Sequence, residues 1–408
     1  MSEVAKSQPE NPLAGIRVLE LGQYIAGPLA GQQLADFGAE VIKIERPGTG
    51  DPFRVYDNRG PVPNYAYNFR AFNRKKKSLA LDLQKPEARE VLKRMIVDID
   101  VLLENFRPGV LDRLGLGYET LKSINPNLIY CSISGFFGDG PNRERPAFDT
   151  IGQALTGMLD IFSNPDEPRM RGTTIADQAT ALQASNAIMA ALFGRERTKT
   201  GCKIDLTMID ATASFMPDIY AAHTDARLEV HAELRPAGSQ AFVLRCGDDE
   251  IIAVQMGGVP KNFIRVLDAA GCPDLANDPL FSDRAQRVPN WSKFLQALAP
   301  HFRKYSRDEL LARFQERDIP CSPVLSIAEA IESSEMTHSG LFETVDHPKA
   351  GPLKMMKRAA RINNSRGLEQ TGPALLGEHT TAILRDAGYT QEEVMALIDA
   401  GVIAIPTA

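Results

Sequence analysis

The feature that most limits how this chain can fold is an alternation near its start. Short runs rich in β-branched residues, at 16–21, 41–45, 78–83, 101–105 and 128–134, are separated by segments whose apolar residues recur at helical spacing. Pro28 opens the first segment, Leu29, Leu34 and Phe37 share a face, and Gly38 is placed to end it. Pro86 stands in the first turn of another, with Val91, Leu92, Met95 and Ile96 on one side. Parallel neighbours need a long crossover between them, and a helix supplies it. The alternation therefore predicts βαβ units in a doubly wound α/β fold with a parallel sheet.

One core cannot absorb all 408 residues, because cores stop growing at roughly 250–300. Helices are expected over 148–162 and 177–197, and a turn at Thr200 and Gly201 leads to a strand over 203–208. From about Asp225 the pattern changes. Arg235-Pro236-Ala237-Gly238 reads as a loop, strands follow at 241–245 and 250–255, and helices at 261–270 and 291–305. The division is thus a large-domain segment over 1–224 and a smaller α+β domain over 225–325. Helical spacing returns at 380–387 and 391–400.

With 43% hydrophobic and 24% charged residues the chain is globular rather than disordered. A net charge of -6 argues against general binding to nucleic acid or a membrane surface, so an anionic ligand needs a local basic cluster. The five cysteines form no CxxC pair, which excludes a zinc ribbon and a disulfide framework and fits a reduced compartment. Cys131, in an apolar run, reads as a small core residue in preference to a thiol nucleophile. The polar first residues lack a basic-then-apolar pattern, and no apolar run approaches the ~18 residues that span a bilayer. The reading is a cytoplasmic protein with neither membrane nor nucleic-acid partners.

Ligands of open α/β sheets bind beyond the carboxyl ends of the strands. Here those ends carry 22–27, Arg46, Asn105-Phe106-Arg107 and Gly135-Phe136. The first turn, GQYIAGPLAG, has neither a GxGxxG fingerprint nor a P-loop. Arg74-Lys75-Lys76-Lys77 precede the third strand, and Arg107 and Arg113 follow the fourth. Each alone is as readily a solvated charge; several at one edge suit a phosphate-rich ligand. No histidine precedes His223 and there is no HExxH or GxSxG, so chemistry in this half falls to a carboxylate, lysine or hydroxyl. Asp177 opens a helix, and spacing alone reads it as an N-cap.

Several runs carry a resemblance: PLAGIRVLELGQYIAGPLAGQQLADFGAEVIKIERPGTGD, NRKKKSLALDL, LLENFRPGVLDRLGLGYE, AFDTIGQALTG, IADQATA, IPCSPV and ALLGEHT. They cover nearly the whole chain, which resembles the family III CoA-transferases, the group of formyl-CoA transferase and carnitine CoA-transferase. The resemblance implies an interlocked homodimer and a large domain built from both chain ends, with 326–408 returning to complete it. It implies coenzyme A or acyl-CoA as substrate with no permanently bound cofactor, no metal, and a small carboxylic acid as the other substrate. Ile25, Ala26, Arg46, Leu81, Gln84, Asn105, Phe106 and Arg113 would contact the adenine and 3′-phosphate, Phe148 and Asp149 would line the thioester region, and Asp177 would be the nucleophile. An unperturbed aspartate titrates near ~3.9, so it needs no activating base.

Two departures matter. Oxalate-using members have a glycine-rich loop where this chain has Ala237-Gly238-Ser239, which argues against oxalate. Related α-methylacyl-CoA racemases place a histidine at Phe148, so racemase chemistry fits less well than transfer. Gly238, Ser239 and Gln240 are candidate oxyanion donors to the substrate or a plain turn; Met256-Gly257-Gly258 is an alternative. An NADP-dependent oxidoreductase and a non-catalytic CoA-binding subunit are further rivals, disfavoured by the missing GxGxxG and by Asp177.

Overall fold

The computed structural model describes residues 10–57, 62–163, 166–367 and 371–406; the polar start lies outside them up to residue 9. The first strands are β1 (Arg17–Leu21), β2 (Glu40–Glu45), β3 (Lys77–Leu81), β4 (Val101–Glu104), β5 (Ile129–Ser134) and β6 (Lys203–Thr207). β7 (Ala241–Arg245), β8 (Ile251–Gln255) and β9 (Cys321–Pro323) pair antiparallel in a sheet of their own. β10 (Phe342–His347) and β11 (Gly351–Met356) form a hairpin, and β12 (Ile403–Ala404) ends the series. The main sheet runs β12-β3-β2-β1-β4-β5-β6, parallel except for β12. Helices cover it, which is why β1 and β4 read as nearly unbroken apolar runs.

The chain divides into two compact units. Met1–Met158, Gly172–Met216 and Ser339–Ala408 hold the main sheet and the β10–β11 hairpin. Leu159–Arg171 and Pro217–His338 hold β7 to β9, with Phe263, Phe294, Phe302 and Phe314 in their core.

The run LGEHT closes an edge. β3 would expose unpaired N–H groups on its outer side. Instead Ser78 N–H donates to His379 Nδ1 (3.3 Å), Ala80 N–H to Thr380 Oγ1 (3.1 Å), and Asp82 N–H to Val402 O (2.9 Å). Side chains from the C-terminal segment thus do part of a strand's work.

Three local expectations change. The helix expected over 148–162 is broken into Asp149–Leu155 and Met158–Phe162, because Gly157 turns with φ +76°. The helix expected from Asp177 starts earlier and runs Ile175–Thr198. The loop expected at 235–238 is the helix Leu234–Ser239; Pro236 falls in its first turn, where a missing N–H costs no bond.

Candidate active site

Strand order reverses between β1 and β4, and there the sheet opens a cleft of about 250 Å³. This is the switch point where an open α/β sheet takes ligands. Its walls are the turns after β1 and β4, the loop after β5, and the first turn of the Ile175–Thr198 helix. Asn105 ties two of these together: Gln23 N–H donates to its Oδ1 and its Nδ2 donates to Gln23 O, both at 2.8 Å. Tyr24 is held at φ +62°, its N–H on Asp51 Oδ1 (3.2 Å), with its ring edge-on to Phe148 at 5.4 Å.

Asp177 faces this cleft from the third position of its helix. Burial, and then the charge of Asp149, push its carboxyl up to about 7. A helix N-terminus favours an anion by roughly 0.3–1 kcal/mol, and here that is outweighed. The expectation of an ordinary, fully ionised aspartate is therefore corrected. Asp149 does not line the cleft. Its Oδ1 accepts the N–H groups of Ala176 (2.8 Å) and Asp177 (3.2 Å), and its Oδ2 accepts Gln153 Nε2 (2.6 Å).

Of the residues expected to hold coenzyme A, the cleft brings together Ile25, Ala26, Asn105, Phe106 and Phe148 with Asp177. Arg46, Gln84 and Arg113 are exposed and stand outside this wall. Leu81 is 1% exposed in the core, which leaves its side chain no surface for a ligand. The basic run before β3 is largely spent: Arg74 pairs with Asp36, Lys76 with Glu20 and Lys77 with Glu40. Sequence reasoning missed Arg143 and Arg145, which line the cleft beside Arg107. Two arginines in the Pro-bounded loop before Phe148 were the available signal. Cys131 is fully buried and burial raises its thiol, as a core residue should.

Gly238, Ser239 and Gln240 belong to the other unit. Ser239 Oγ donates to Arg235 O (3.0 Å) and the Gln240 N–H to Ala237 O (3.2 Å). In the alternative stretch the N–H groups of Met256 and Gly257 donate to Gln240 O (3.0 Å) and Ser239 O (3.1 Å). Gln240 is 2% exposed, with its Oε1 on Arg287 and its Nε2 buried without a partner among the described residues. That unit has a groove of about 670 Å³, but Phe242, Trp291 and Cys321 wall it, and it offers no cation for a phosphate.

Residues 13–380 match the sequence model of CoA-transferase family III. The chain belongs to that family. It is 33% identical to the succinyl-CoA:glutarate CoA-transferase of Mus musculus, over 96% of this chain and 90% of the relative. It is equally 33% identical to the succinyl-CoA–D-citramalate CoA-transferase of Chloroflexus aurantiacus, over 97% and 99%. The crystal structure of a CAIB/BAIF family protein from Brucella suis superposes with a TM-score of 0.81 at 31% identity, covering 93% of this chain and all of that one. The protein is thus an enzyme, a family III CoA-transferase, and racemase chemistry is not favoured. Among the described residues no helix is long and apolar enough to cross a membrane, and no cluster of His, Cys, Asp and Glu could hold a metal.

Proposed function

We propose that this CoA-transferase moves coenzyme A from an acyl-CoA donor to a free carboxylic acid through covalent intermediates on Asp177. The Asp177 carboxylate attacks the thioester carbonyl; the C–S bond breaks, giving a mixed anhydride and CoA thiolate. The thiolate attacks the aspartyl carbonyl of the anhydride, releasing the donor's acid as carboxylate and leaving an aspartyl-CoA thioester. The acceptor carboxylate runs the two steps in reverse. One hard exchange becomes several easier ones.

The observation that carries this reading is the carboxyl of Asp177 on the switch-point cleft, whose lining also includes Arg107, Arg143 and Arg145. Those cations suit a phosphate-bearing substrate, and exposed Arg46 and Arg113 extend the same charge beyond the cleft. The two curated relatives are named for succinyl-CoA as donor and for dicarboxylic acceptors. Succinyl-CoA with a short dicarboxylic acid is therefore the first pair to assay. The reading includes a homodimer of interlocked chains, supported by the family resemblance.

The test offers succinyl-CoA or acetyl-CoA with a panel of carboxylic acids and identifies new acyl-CoA by mass. Transfer by the wild type and none by a folded Asp177→Asn variant is expected. An active Asp177→Asn would move the nucleophile elsewhere.

A further inference from the structure

The helix that presents Asp177 lacks a cap of its own. Thr174, at its N-cap, accepts no backbone N–H of the first turn with its side chain. The N–H groups of Ala176 and Asp177 would be left without partners inside the helix. Asp149, 27 residues earlier than Ala176, supplies the acceptor, one oxygen taking both N–H groups. Its other oxygen is fixed by Gln153, and the side chain is 8% exposed. Three donors therefore hold this buried carboxylate in place.

We infer that Asp149 is a positioning residue, which caps the helix of the nucleophile from outside and keeps a second negative charge behind it. The inference rests on the reading of Asp177 as the nucleophile. Two consequences follow. The capped N–H groups cannot quench the Asp177 anion by hydrogen bonding. Repulsion between the carboxylates raises the energy of the free anion, and acylation of Asp177 removes its charge and relieves that repulsion.

Other charged groups stand on the surrounding elements. Asp210 lies in the first turn of Met208–Ala213, and Lys203 and Asp205 on β6 pair with each other at 2.9 Å. Tyr24, Arg107, Arg143 and Arg145 line the cleft. After burial, Asp149 is the group whose charge acts on Asp177.

The test is the pH dependence of acylation. Wild type and Asp149→Asn are mixed with acyl-CoA for a single turnover, quenched with hydroxylamine, and the hydroxamate on the Asp177 peptide is quantified. Asn keeps an oxygen for both helix N–H groups and loses the charge. Labelling by the wild type should rise with pH through about 7. In Asp149→Asn the midpoint should fall by roughly one unit, with a several-fold slower plateau. Labelled Asp177 with an unmoved midpoint overturns the inference. Absence of label on wild-type Asp177 instead overturns the nucleophile. Should Asp149→Asn not fold, Asp149→Ser offers a neutral capping hydroxyl; if neither folds, Asp149 serves the fold alone and the inference falls.

Discussion

Two parts of one sheet bury carboxylates and treat them in opposite ways. Around β1 to β3, Glu20 meets Lys43 and Lys76, Asp51 meets Lys43, and Glu45 meets Arg54. Burial alone would raise Glu45, but the Arg54 fork at 2.7 Å, with Lys43 and Ser78, outweighs it and holds the carboxyl at about 2. On the side of β4 to β6, burial and then Asp149 raise Asp177 to about 7. Around β1 to β3 the paired charges build a frame: Lys43 also holds Gly22 O at 2.6 Å, beneath the turn that lines the cleft. The Asp177 carboxyl, for which no ion pair is seen among the described residues, faces the cleft, as perturbed groups at functional sites do. Glu104 marks the limit of that rule. Burial raises it to about 7 as well, yet its Oε2 accepts Phe106 N–H at 2.8 Å and only supports a turn.

The comparison breaks most readily at Arg54. Arg54→Ala strands Glu45 as a buried charge and should cost roughly 3–5 kcal/mol in denaturant unfolding. Asp177→Asn should cost nothing near neutral pH. Equal effects of the two would erase the distinction between frame and site.

The next effect is smaller and has a sign. The folded carboxyl of Asp177, at about 7, lies above the unfolded value near ~3.9. Between those values the folded state holds the proton more tightly, so stability drains away as pH rises and the full penalty stands above 7. Thermal melts should show Asp177→Asn more stable than wild type at pH 8, by on the order of 1–2 kcal/mol after allowing for partial exposure, and little different near pH 4. A wild type that is the more stable at pH 8 would mean the carboxylate has a partner.

The smallest effect belongs to the frame's edge. Burial lowers the His379 pKa, and its Nδ1 must stay unprotonated to accept Ser78 N–H. A depressed folded value means stability present above the unfolded ~6.5 and lost as pH falls below it. His379→Leu should cost about 1 kcal/mol at pH 7.5 and flatten that acid loss. An unchanged acid slope would leave LGEHT without this role.

The frame was legible because its strands are short apolar runs set at crossover spacing, and the structure shifts their ends by a residue or two. β12 has two residues and carries no period, and β10 and β11 are half-exposed, so neither was read. Arg74 to Lys77 were legible as charge, but their partners Asp36, Glu20 and Glu40 arrive through sheet register, which single-residue reading does not supply. Asp177 was found through the family's motif. Its raised carboxyl was not, because the cause lies in burial and in Asp149, brought there from another helix.

The central claim is that the unpaired carboxyl of Asp177 becomes covalently joined to the substrate. Reduction tests it most directly: wild-type enzyme turning over with an acyl-CoA donor and a free acid is treated with borohydride, and its peptides are weighed. An aspartyl-CoA thioester is reduced to an alcohol, so the peptide bearing Asp177 should carry homoserine there, and Asp177→Asn should carry none. An unmodified Asp177 peptide from enzyme shown to be turning over would contradict the account.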